Sequence, residues 1–135
     1  MDIDKTNGET SLQTLLKNME PIKQLGEFVF CSLPDIGMAK GHEPIMCFKE
    51  VEGYTLILTK QSADELGLQY SFIAAWITLS VHSSLEAVGL TAAFSKALSD
   101  NGISCNVVAA FYHDHIFVNI QDVGKAMKVL ESLSV

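Results

Sequence analysis

An apolar run from Ile73 to Val81 gives way to a polar turn, His82-Ser83-Ser84, and then to a helical stretch from about Gly89 to Asn101. A second apolar run, Ile103 to Phe111, begins immediately after Asn101-Gly102. Apolar runs of this length bounded by turn residues read as buried strands. Between them Leu90, Phe94, Ala97 and Leu98 recur at helical spacing, and Asn101-Gly102 is a helix stop. The order is therefore strand, loop, crossover helix, strand, and a crossover helix must pack back on the sheet it connects. The loop leaves unpaired backbone N–H groups at a helix start, beside the hydroxyls of Ser83 and Ser84. A small anion such as a carboxylate suits that place.

The rest of the chain carries the same kinds of element. Residues 1–10 read as a mobile arm. Ser11 to Met19 reads as a short helix that Ser11 can cap, with Leu12, Leu15, Leu16 and Met19 on one face and Pro21 as its stop. Phe28 to Leu33 reads as a strand, residues 34–44 as a loop with two prolines and two glycines, and Ile45 to Phe48 and Thr55 to Leu58 as strands joined by a turn over residues 50–53. Ser62 to Leu66 reads as a short helix closed by Gly67. In the second half, strands at 103–111 and 115–120 meet at His113-Asp114, and a helix from Asp122 to Leu133 follows.

The halves align at an offset of about 60 residues, Leu56-Ile57-Leu58 against Ile116-Phe117-Val118. In that alignment Ser62 and Asp122 correspond as helix caps, Glu52-Gly53 falls one place off His113-Asp114, and the loop 34–44 stands where the second half has its crossover helix. Two degenerate units of this size, 11–69 and 70–135, are each too small to be stable alone.

Composition removes several functions. The chain has 135 residues, 48% of them hydrophobic, and a net charge of −7. All nine basic residues are lysines, scattered singly. Nucleic-acid binding needs a basic face, and arginine is the preferred group for bidentate phosphate recognition. Both are lacking, which also argues against an acylphosphatase-like phosphate cradle. The longest apolar stretch, Phe72 to Val81, is far too short to span a bilayer as a helix. The polar, acidic start lacks the pattern of a signal peptide. The expected location is cytoplasmic, with no membrane partner. Cys31, Cys47 and Cys105 are isolated in apolar segments and read as buried, reduced thiols.

The block Val81 to Ala92, with the helix stripe and the residues Gly102-Ile103-Ser104-Cys105-Asn106, resembles the ACT domain family of small amino-acid-binding regulatory modules. The same block and Tyr112 to Val118 are similar to short stand-alone proteins with two ACT-like units and little else. The likeness runs from about Phe28 to Leu133, weakly in the first half and strongly in the second. It implies an α+β fold of two ferredoxin-like units of βαββαβ type, with antiparallel sheets covered by helices on one side. It also implies a non-catalytic regulatory or sensor protein that binds an amino acid, needs no cofactor, forms a homodimer through sheet edges or helices, and acts on a separate partner protein. The ligand would sit at the loop and helix start, at His82, Ser83, Ser84, Val88, Gly89, Leu90 and Thr91. The family often has an acid in this turn and a proline before the glycine. Here His82 or Ser83 and Val88 stand there, so an acid from the other unit would have to meet the ligand's ammonium.

Each candidate has a plainer reading. Ser83 to Glu86 fits a capping box, which explains both serines without a ligand. Asn106 either contacts the ligand's polar end or bonds its own backbone at a strand edge, and Ser104 would share its face. His113 and His115 would share a strand face, yet zinc needs a third or fourth ligand and none is near in sequence. Cys105 beside Asn106 suggests a nucleophile, but a thiol within an apolar run lacks an activating base. A module that binds no ligand and only docks a partner is the alternative function.

Overall fold

The computed structural model describes residues 8–80 and 89–134. Its elements are helix α1 (Gly8–Asn18), strand β1 (Glu20–Lys23), strand β2 (Phe28–Leu33), a 3-10 turn (Ile36–Ala39), strands β3 (Met46–Lys49) and β4 (Tyr54–Thr59), helix α2 (Lys60–Leu66), strand β5 (Ala74–Ser80), helix α3 (Leu90–Asp100), strands β6 (Cys105–Ala109) and β7 (Asp114–Asn119), a second 3-10 turn (Ile120–Asp122) and helix α4 (Val123–Ser132). The fold is α+β with antiparallel strand pairing and an ACT-like, ferredoxin-like arrangement.

The described residues cluster into two compact units. One is split in sequence, joining the chain up to Gln24 with Trp76 onward; the other is the segment between them, Leu25–Ala75. In the split unit the strands follow the order β1-β5-β7-β6. The β5-α3-β6-β7-α4 run is completed by β1, which lies antiparallel to β5 with Glu20 opposite Ser80 and Lys23 opposite Ile77. Strand β1 is not anticipated above. It is short, and Pro21 cannot donate to a ladder, so its sequence reads as a helix stop rather than as an edge strand. In the inserted unit the order is β3-β4-β2, with Phe28 also paired to Ala74.

Burial follows the periodicities. Leu90, Phe94 and Leu98, one helical turn apart, are all buried on α3, and Ala126 and Leu130 on α4. Each large side chain so placed contributes about 1.5–3 kcal/mol. In the inserted unit Val29, Cys31 and Leu33 alternate inward and meet Leu56, Leu58, Ala39 and Ala63.

The repeat is closer than the sequence alignment suggests. Met46 faces Ile57 and Asn106 faces Phe117, and the two ladders then keep the same register, sixty positions apart, to Lys49–Tyr54 and Ala109–Asp114. The turns match too: Glu50 and Gly53 bond each other, as Ala110 N–H bonds the His113 carbonyl, so there is no one-place slip. The caps correspond as well, but three residues before the expected positions. Thr59 accepts from Ser62 N–H, and Asn119 accepts from Gln121 N–H, whereas Asp122 makes no side-chain cap.

One thiol departs from expectation. Cys31 is buried and Cys105 half-buried, but Cys47 is exposed. Cys47 pairs with Leu56 and shares its sheet face, the face of the core. Its counterpart Val107 stands beside Ser95 and Ser99 of α3. The inserted unit has only the 3-10 turn Ile36–Ala39 between β2 and β3, too short to cover the strand.

Candidate functional site

Helix α3 begins at Gly89. This residue has φ +99°, a left-handed conformation that suits glycine, and its carbonyl accepts the first helical bond, from Ala93 N–H at 2.8 Å. Gly89 has no side chain with which to cap the helix. The N–H groups of the first turn therefore point outward without a side-chain acceptor from the cap position, and the positive end of the helix dipole lies there. Leu90 is buried and anchors the turn, while Thr91 is exposed beside it. A β-carbon on Gly89 would lie 3.3 Å from Leu12 Cδ2 of α1, so the N-terminal helix flanks the start of α3. The expected site residues His82, Ser83, Ser84 and Val88 lie outside the described residues.

Asn106 follows α3 on the next strand. It is the second residue of β6, exposed, and opposite Phe117. Its neighbours Cys105 and Val107 line a groove with Ser95 and Ser99 of α3, so Asn106 points to the other sheet face. Its neighbour Cys105 meets Ser95, midway along α3. Burial pushes the Cys105 thiol up, with a hydrogen bond from Ser95 acting in the opposite direction; burial also raises Cys31. Both thiols stay protonated at neutral pH, the wrong state for a nucleophile.

A second polar group lies on the face of β5 and β7 away from the buried Ile77 and Leu79. Trp76 Nε1 donates to His115 Nδ1 at 3.0 Å, Thr78 Oγ1 lies 3.0 Å from the same nitrogen, and Gln24 Nε2 donates to Thr78 Oγ1 at 2.9 Å. The Trp76 ring stacks on Phe117 at 6.0 Å. Thr78 is the one buried polar residue among those described, at 6% exposure, and this network satisfies it. Burial and the neighbouring His113 lower the His115 pKa, against a smaller opposing effect of Asp114. Sequence reasoning considered His115 only as a metal ligand. The alternation of Trp76 and Thr78 on an apolar strand was a signal for a polar face, but Gln24 is 54 residues from Thr78 and gave none. The His113 and His115 rings lie 6.3 Å apart, and among the described residues no group of three or more His, Cys, Asp or Glu is placed to hold a metal ion. Among the same residues no helix is long and apolar enough to cross a membrane.

Comparison with known proteins places this geometry. Two family models, both described as ACT domain, match residues 7–75 and 71–132. No curated protein matches the chain. Among solved structures, a Vibrio cholerae protein of unknown function, described as a possible transport protein, is 43% identical over 95% of this chain and 99% of its own, with TM-score 0.87. An Agrobacterium tumefaciens protein shares the fold at TM-score 0.70 and 15% identity, over 86% of this chain and 89% of its own. The regulatory subunit of aspartate kinase from Thermus flavus shares it at TM-score 0.64 and 11% identity, over 84% of this chain and 96% of its own. With family models covering both halves and the β5-α3-β6 geometry between them, the chain belongs to the ACT domain family and carries two such domains in tandem.

Proposed function

We propose that this protein is a non-catalytic regulatory module that binds a small molecule, an amino acid, at the start of α3 and passes that state to a separate partner protein. The observation that carries the reading is the start of α3, opened by a left-handed glycine that offers no capping side chain, in a chain of two ACT domains. A ligand carboxylate would take the N–H groups of Leu90 and Thr91, with His82, Ser83, Ser84 and Val88 completing the loop. Asn106, exposed on β6, is the remaining candidate contact for the ligand's polar end. The protein we propose is a cytoplasmic homodimer.

A thermal-shift screen of the twenty amino acids tests this. A ligand at ~100 times its Kd adds ~2.7 kcal/mol and raises Tm by several degrees. No shift with any of them favours the other reading, a module that only docks a partner. That reading has its own support at the β6–β7 turn, where Phe111 and Tyr112 are 92% and 70% exposed and pack edge to face at 4.9 Å.

A further inference from the structure

The bond from Trp76 to His115 fixes a protonation state. An indole N–H only donates, so His115 Nδ1 must be a bare acceptor, and the imidazole proton sits on Nε2. Thr78 Oγ1 approaches the same Nδ1 while it accepts from Gln24. A hydroxyl oxygen has two lone pairs, so Thr78 can reverse its bond and accept from a protonated Nδ1. Trp76 cannot. A proton on Nδ1 therefore breaks one bond of the network and keeps the other.

We propose that His115 is a proton switch on this face of the split unit: protonation of Nδ1 breaks its bond with Trp76 and transfers the imidazole to Thr78. The groups around His115 favour a two-state response. Trp76, Thr78 and Gln24 are uncharged, as are Val108 opposite it on β6 and Ile22 opposite Thr78 on β1. Among the described residues the charges acting on it are those of His113, which opposes a second positive charge, and Asp114, which favours it. Burial adds to the opposition, so the switch operates on the acid side of an ordinary histidine.

Trp76 is the sole tryptophan of the chain, so its emission reports the event directly. The experiment follows Trp76 fluorescence of the full chain from pH 8 to pH 4.5, alongside far-UV circular dichroism. The expected result is a one-proton change in emission centred below pH 6.5 with the ellipticity unchanged. In His115→Gln, whose amide oxygen can accept from the indole but cannot titrate, the change disappears. In His113→Gln it remains and moves to higher pH. Nitrogen-15 spectra of the His115 ring in the wild type give a second reading, which needs no variant: bare Nδ1 and protonated Nε2 at pH 7.5. A protonated Nδ1 at pH 7.5, an emission change that persists in His115→Gln, or a change that coincides with loss of ellipticity overturns the proposal.

Discussion

Gly89 shows how one backbone angle sets the terms for testing a site. At φ +99° a β-branched residue is strained, and its β-carbon would also press on Leu12. Gly89→Val should cost about 1–3 kcal/mol of stability and close the approach to the helix start. Urea denaturation read beside calorimetry separates the two effects. Thr59 and Asn119 hold helix-start N–H groups, so Thr59→Ala and Asn119→Ala should each cost about 1 kcal/mol, seen as a lower urea midpoint. The sequence reading placed these caps at Ser62 and Asp122 because both residue types favour helix starts. The capping side chain belongs three residues before the N–H it accepts, which puts it at Thr59 in the first case. His115 adds a pH dependence. Its folded pKa lies below the unfolded value of about 6.5, so it is neutral in both states above that pH and contributes no slope. As pH falls below about 6.5 the unfolded chain takes up the proton first, and stability is lost until pH passes the lower folded value. His115→Gln should flatten that part of the urea midpoint against pH.

At the scale of elements, the hairpins β3–β4 and β6–β7 carry the repeat. Both outer strands pair in one register, and both inner strands bury their central residues, Leu56-Ile57-Leu58 and Ile116-Phe117-Val118. These were legible because fully apolar triplets between turn residues admit few alternatives. The turns differ in one respect. Gly53 has φ +148°, and a β-carbon there would fall 2.7 Å from the Leu33 carbonyl oxygen, a backbone atom that cannot yield cheaply. The equivalent residue of the second hairpin is His113, which has no positive φ. Gly53→Ala should therefore destabilise the protein by about 1–3 kcal/mol, measured by urea denaturation, while His113→Ala should be nearly neutral. Strand β1 was not legible. Its four residues include a proline, and its partner β5 lies more than fifty positions away, so no local pattern marks the pair.

At the scale of the molecule, the split unit decides what can be cut. A fragment of residues 70–135 lacks α1 and β1, and so exposes the edge of β5 from Ile77 to Ser80, which β1 covers. It should aggregate or unfold without cooperativity, since an open apolar edge recruits other strands. A soluble monomer by light scattering, with a sharp unfolding transition, would show that β1 is dispensable. The family and the helix start were legible because the block around Gly89 is specific. The sheet face of Asn106 was not, because Cys105 and Val107, not Asn106, turn toward α3. The central claim is amino-acid binding at the start of α3. Its most direct test is an amide NMR titration of the labelled full chain with each of the twenty amino acids at millimolar concentration. The account predicts that at least one moves the Gly89, Leu90 and Thr91 amides in a saturable way. Twenty titrations that leave those amides in place, or a saturable response confined to other residues, would contradict it.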